Sequence, residues 1–127
     1  LEDRMKTKVG LLSGGQRQAV TLLMCTIVPP QLLLLDEHTA ALDPATAEKV
    51  MDITRRVVAQ YNLTTLMITH NMRAALTTGT RTIMMDEGRI LFDLKGEERE
   101  KTTLDDLLQM YSARKNKDFA NDRMLLD

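Results

Sequence analysis

Ser13-Gly14-Gly15, followed by Gln16-Arg17-Gln18, is the first string in the chain whose residue types suggest chemistry. A serine ahead of a helical pattern is an N-cap, and the first N–H groups of a helix have no intrahelical partner. Those donors, together with the positive end of the helix dipole, make a natural phosphate site. Glycines let a ligand approach the backbone, and the Ser13 hydroxyl adds a donor. The same three residues would serve equally well as a turn and cap with no ligand. Further along, Leu32-Leu33-Leu34-Leu35-Asp36-Glu37 sets two carboxylates at the end of an apolar run of strand length. Open α/β sheets hold their ligands at that end of a strand, although an Asp-Glu pair also commonly opens a solvated loop. Asp43-Pro44 reads as an N-cap before a proline in the first helical position. His70 stands alone after the apolar string Thr64 to Thr69, where a histidine is more often structural than catalytic.

Taken in order, Leu12-Ser13-Gly14-Gly15-Gln16, Leu32 to Glu37, Ala41-Leu42-Asp43-Pro44 and His70 resemble the second half of an ATP-binding-cassette (ABC) ATPase domain, over roughly residues 8 to 95. In that family two domains face each other around each ATP. One offers a phosphate loop and the other a Leu-Ser-Gly-Gly-Gln signature. The resemblance implies that Ser13, Gly14, Gly15 and Gln16 meet the γ-phosphate of an ATP held by the opposing domain. It implies Asp36 as the holder of Mg²⁺, through water, because that ion keeps several waters and takes few carboxylates. Glu37 is then the general base that polarises the attacking water. His70 matches the switch histidine, which bonds the γ-phosphate and orients the base, and Asp43 matches a loop that crosses the dimer interface. ATP and Mg²⁺ are the implied cofactors.

The departures from the family pattern are as informative. No G-x-x-x-x-G-K-[ST] phosphate loop occurs, and Gly14-Gly15 is followed by glutamine rather than lysine. The adenine-stacking aromatic and the early glutamine loop, which lie upstream in the family, are missing as well. His38 stands where most members carry proline. It makes Asp36-Glu37-His38-Thr39-Ala40-Ala41-Leu42-Asp43-Pro44 resemble one bacterial branch, the ATPase subunits of uptake systems paired with substrate-binding proteins, for amino-acid-like solutes. Read by itself, His38 is an exposed loop residue with no role.

Positioning these residues calls for alternating helices and strands. Ser13 caps a helix running to about Ile27 and stopped by Pro29-Pro30. Leu32 to Asp36 is expected to be covered on both faces. The helix after Asp43 runs to about Tyr61, with Ala47, Val50, Ile53, Val57, Val58 and Tyr61 on one face. Thr64 to Thr69 is expected as a second buried strand. Met72 to Thr78 makes a short helix closed by Gly79. Arg81 to Met85 and Arg89 to Asp93 flank a hairpin turn, Asp86-Glu87-Gly88, and Thr103 caps a helix through Leu107, Leu108 and Tyr111. The alternation argues an α/β fold with a mainly parallel sheet. The resemblance makes it P-loop NTPase-like, with helices on both faces, and truncated. The strand leading to the phosphate loop would lie between Thr64–Thr69 and Arg81–Met85, so its loss leaves a central slot. Residues 1–111 are expected to form the C-terminal part of a nucleotide-binding domain and 112–127 a polar tail, from which Phe119 and Met124-Leu125-Leu126 could dock.

Composition sets the outer bounds. A length of 127 residues suffices for one domain with a modest core. The string from Leu1 to Lys8 has no apolar signal region, and the start is expected to be a cut inside a longer protein. A net charge of −1 with a pI near 6.2 gives no basic footprint for nucleic acid. No apolar run approaches the ~18 residues of a membrane span. The resemblance implies as partners a second nucleotide-binding domain, separate transmembrane permease subunits and a substrate-binding protein. The expected location is the cytoplasm, on the inner face of the cell membrane. The single cysteine, Cys25, cannot form an internal disulfide and should pack as a small hydrophobe. Nine methionines, among them Met51, Met67, Met72, Met84 and Met85, should fill the core. The function that the resemblance implies is an ATP-hydrolysing subunit of a bacterial uptake system, with the fragment alone inactive. The competing functions are a non-enzymatic module that completes another subunit's site and a non-transport ABC ATPase. Repair-type ATPases would show long coiled-coil heptads around the signature, and none occurs here.

Overall fold

The computed structural model describes residues 2–126, with side chains described through residue 117. The chain forms two compact units, residues 1–69 and 70–127.

In the first unit two short 3-10 turns, Glu2–Arg4 and Val9–Leu11, lead into helix α1, Gly14–Ile27. A capping box starts α1. The Ser13 hydroxyl oxygen accepts from the Gln16 backbone N–H at 3.2 Å, and the Gln16 side chain accepts from the Ser13 N–H at 3.0 Å. Strand β1, Leu32–Asp36, follows, then α2, Pro44–Tyr61, and strand β2, Thr64–Ile68. Asp43 caps α2 by accepting from the Thr46 N–H at 3.1 Å, with Pro44 in the first turn. Asn62, left-handed at φ 48°, ends it. β1 and β2 pair in parallel from Leu32↔Thr64 to Asp36↔Ile68, so β1–α2–β2 is one βαβ unit. Leu22 of α1, Leu33 and Leu35 of β1, Val50 and Val57 of α2, and Leu63 form the buried cluster, with Cys25 packed against it as expected. Met51 is buried, whereas Met85 of the second unit is 63% exposed, so core filling does not account for all the methionines.

The expectation that both strands are buried is corrected. On β1 only Leu33 and Leu35 are covered, while Leu32 and Leu34 are 51% and 64% exposed. No residue of β2 is fully buried, and Leu66 and Ile68 are 55% and 50% exposed. The reason is that α1 and α2 contribute to one cluster on the Leu33–Leu35 face. Leucine at every position of β1 describes a strand suited to two covers, not the number of covers present.

In the second unit α3, Met72–Thr77, precedes the antiparallel hairpin of β3, Arg81–Asp86, and β4, Arg89–Lys95. Glu87 and Gly88, at φ 48° and 76°, make the two-residue turn with positive φ at both positions that suits the strand twist. Helix α4, Gly96–Lys101, was not expected, because Gly-Glu-Glu-Arg-Glu-Lys shows no apolar periodicity. Arg99 of α4 donates to Thr82 Oγ1 at 2.9 Å and to the Thr78 carbonyl at 2.7 Å, which satisfies the end of α3. Helix α5, Leu104–Leu126, starts from a box between Thr103 and Asp106 and buries Leu107. It passes Ser112 without a break; the side chains of Phe119 and Met124 to Leu126 lie outside the described residues. The described strands thus form two two-stranded sheets, β1–β2 and β3–β4.

Candidate functional site

The first turn of α1 lies against the first turn of α2. A Cβ on Gly15 would sit 2.3 Å from Thr46 Cγ2, and one on Gly14 would sit 3.0 Å from Leu42 Cδ2. Gly15 is buried and its lack of a side chain is what permits this approach, whereas Ser13 and Gly14 are exposed. Because the Ser13 oxygen already accepts from Gln16, its O–H is left to donate outward, beside the unpaired first N–H groups of a 14-residue helix. Arg17 fixes the approach to this turn, donating to the carbonyls of Leu12 and Gly10, both at 3.1 Å. A phosphate therefore fits here by donor chemistry. Gln16 faces a double demand, since its side chain is already part of the cap.

Asp36 and Glu37 stand at the carboxyl end of the β1–β2 ladder. Asp36 pairs with Ile68, and the Glu37 N–H donates to the Ile68 carbonyl at 2.9 Å, one step beyond the strand. Glu37 has φ 49°, a left-handed conformation uncommon outside glycine and asparagine. Two turns follow, closed by the Ala40 N–H on Glu37 and the Leu42 N–H on Thr39, both at 3.1 Å, and they deliver Asp43 to the start of α2. Hydrogen bonds from Thr46, side chain and then backbone, hold the Asp43 carboxyl below its usual value. Asp36 is exposed, and among the described residues no three His, Cys, Asp or Glu side chains gather as a metal cage. A single carboxylate with open positions is what Mg²⁺ bound to a nucleotide uses. His70 is exposed and opens the second unit, two residues beyond Ile68. The structure thus brings Ser13, Gly14, Gly15 and Gln16 together with the Leu42–Thr46 turn, and brings Asp36 and Glu37 to one strand end.

The ABC transporter family model matches residues 1–40, which hold the capped turn and the carboxylate pair. Over 111 residues, 87% of this chain and 44% of the relative, the sequence is 45% identical to a tyrosine transport ATP-binding protein of Clostridioides difficile. The chain belongs to the ABC transporter ATP-binding family. A phosphonates import ATP-binding protein of Halobacterium salinarum is 38% identical over 84% of this chain and 38% of its own length. A methionine import ATP-binding protein of Bacillus cereus is 36% identical over 81% of this chain and 32% of its own. An inward-facing ABC transporter described as of the metal-chelate type superposes with a TM-score of 0.66 at 26% identity, over 84% of this chain and 42% of that one. The cassette chain therefore spans less than half the length of these relatives, and the α/β fold with its parallel strand pair is that of the family.

Sequence reasoning missed Thr54 and gave His38 no role. Thr54 is buried on α2, its hydroxyl donating to the Val50 carbonyl at 2.8 Å and lying 3.1 Å from His38 Nε2. Burial lowers the pKa of His38, which is half-buried rather than exposed. The signal was present: a threonine four residues after Val50, among the core-facing positions of a helix, needs a hydrogen-bond partner once buried. Among the described residues no helix is long and apolar enough to cross a membrane.

Proposed function

We propose that this chain is the signature-bearing and carboxylate-bearing part of the ATP-hydrolysing subunit of a bacterial ABC uptake system for an amino-acid-like solute. The observation that carries the proposal is Glu37, anchored through its N–H to Ile68 one residue past a parallel strand end, directly after Asp36. Relatives named for methionine and phosphonates import support uptake, a third is named for tyrosine transport, and two of the three solutes are amino acids.

In this reading Asp36 would hold Mg²⁺ through water, and the ion would supply charge neutralisation for the nucleotide's phosphates. The Glu37 carboxylate accepts a proton from the attacking water and orients it in line. His70, the counterpart of the family's switch histidine, is the candidate donor to the γ-phosphate. Ser13 Oγ and the first N–H groups of α1 donate to the γ-phosphate of an ATP whose phosphate loop belongs to the opposing domain, with Asp43 reaching across that interface. The phosphate loop of the same subunit is supplied from outside residues 1–127. Transmembrane permease subunits and a substrate-binding protein complete the system, which places this subunit on the cytoplasmic face of the membrane.

The test is Glu37→Gln in the intact subunit. It should abolish ATP hydrolysis while ATP binding and nucleotide-dependent dimerisation persist, because the amide keeps the shape and loses the basic oxygen. Unchanged turnover would remove Glu37 as the base. An intact subunit that lacks any phosphate loop would favour the non-enzymatic module.

A further inference from the structure

We propose that His38, held by Thr54, is a positioning residue that fixes the backbone turn carrying Glu37. The inference rests on the reading of Glu37 as the base and adds what keeps it in place. Among the described residues three non-glycine residues have positive φ, and two of them occupy positions built for it: Asn62 ends a helix and Glu87 sits in a tight hairpin. Glu37 has no such setting, and a left-handed non-glycine residue persists only where its surroundings over-determine it. Before the turn, the Glu37 N–H is tied to the Ile68 carbonyl at 2.9 Å. After it, the next side chain, His38, reaches Thr54 on α2 at 3.1 Å. These two ties flank the peptide between Glu37 and His38, one to the sheet and one to the helix, and the Ala40 N–H on the Glu37 carbonyl at 3.1 Å closes the turn.

The hydrogen bookkeeping makes the second tie directional. The Thr54 hydroxyl hydrogen is committed to the Val50 carbonyl at 2.8 Å, so its oxygen can only accept from His38. His38 Nε2 must therefore carry the hydrogen, and the ring donates into a hydroxyl that is buried and fixed by α2. Losing that bond loosens the Glu37–His38 turn, and a shift of the turn towards an ordinary right-handed or extended conformation moves the carboxylate with it. A displacement of about 1 Å in a catalytic group can cost up to about 100-fold in rate.

Steady-state ATPase kinetics on the intact subunit test this, with Glu37→Gln run in parallel. His38→Ala and Thr54→Val should each lower kcat about tenfold while KM for ATP stays within about twofold. The double variant should be no worse than either single one, because both remove the same bond. His38→Gln, whose amide N–H lies as many bonds from Cβ as imidazole Nε2, should restore most of the turnover, as should Thr54→Ser. A purely structural role would give no such rescue and no split between kcat and KM. Full turnover in Thr54→Val, which keeps the side-chain shape and so guards against misfolding in His38→Ala, would overturn the proposal. So would additive losses in the double variant. If Glu37→Gln itself retains turnover, the base assignment has failed; if it is inactive while His38→Ala and Thr54→Val are unimpaired, only the clamp has failed.

Discussion

Gly15→Ala is the sharpest probe of how the signature turn is built, because its effect can be worked from one contact. The new Cβ would lie 2.3 Å from Thr46 Cγ2, well inside van der Waals contact, and 3.8 Å from Thr46 Cβ and 3.9 Å from Val50 Cγ2, which are ordinary contacts. Replacing a helical glycine by alanine normally gains up to about 1 kcal/mol. Forcing a methyl into a packed helix–helix contact costs about 1–3 kcal/mol. The clash should win, since both partners sit in capped first turns that are held in place by their own hydrogen bonds. The expected net loss is about 1–2 kcal/mol, read from urea unfolding of the intact subunit without nucleotide, so that no effect on ATP contacts enters. Thr46→Ser removes only the clashing Cγ2 and should rescue Gly15→Ala, giving a coupling of about 1 kcal/mol or more. Gly14→Ala is the control. It meets only the end of the Leu42 side chain, at 3.0 Å, and should be close to neutral. If Gly15→Ala is neutral or stabilising, or if Thr46→Ser leaves its defect unchanged, the packing explanation for this glycine is wrong.

Residues 1–127 alone should hydrolyse no ATP and bind it weakly, since no phosphate loop or its lysine is among them; micromolar binding by calorimetry would contradict this. Ser13→Arg should block the nucleotide-dependent dimer by placing bulk at the exposed start of α1, and sedimentation with ATP should show monomers where the wild type dimerises. Asp43 gives a pH prediction. Its folded pKa is lowered by Thr46, so its contribution to stability is present above the unfolded value of about 4 and is lost as pH falls through the folded one. Asp43→Asn keeps an acceptor at the N-cap but cannot titrate, so its unfolding should depend less on pH in acid than that of the wild type. Parallel acid-unfolding curves would refute the role of that hydrogen bond.

The elements that were legible in the sequence carry their signals in local chemistry. Ser13 ahead of a helical pattern, Asp43 with Pro44, and Asp86-Glu87-Gly88 specify caps and a turn within a few residues, and the structure places each where expected. The four leucines of β1 announced a strand in the same way. What stayed hidden depends on distant partners. Periodicity cannot say that Gly15 is empty for the sake of Thr46, because the two are far apart in sequence and meet only once α1 and α2 pack. Nor could it give His38 a role, since that rests on a hydroxyl one helix away. Helix α4 escaped for another reason: its stability comes from the Arg99 bonds to Thr82 and Thr78 rather than from an apolar face. The placement of Asp36 and Glu37 at a strand end was legible because a strand boundary and a change from leucine to carboxylate coincide there.

The bare outer side of β1 and β2 governs how this chain behaves as a colloid. Leu32, Leu34, Leu66 and Ile68 form an apolar surface beside a net charge of only −1, so little electrostatic repulsion holds copies apart. Because β2 pairs on a single edge, contact between copies can also proceed to strand exchange, which locks in an association that apolar contact merely starts. Sulfate strengthens burial of such surface and cooling weakens it. Residues 1–127 should therefore salt out at low ammonium sulfate and stay dispersed longest in the cold.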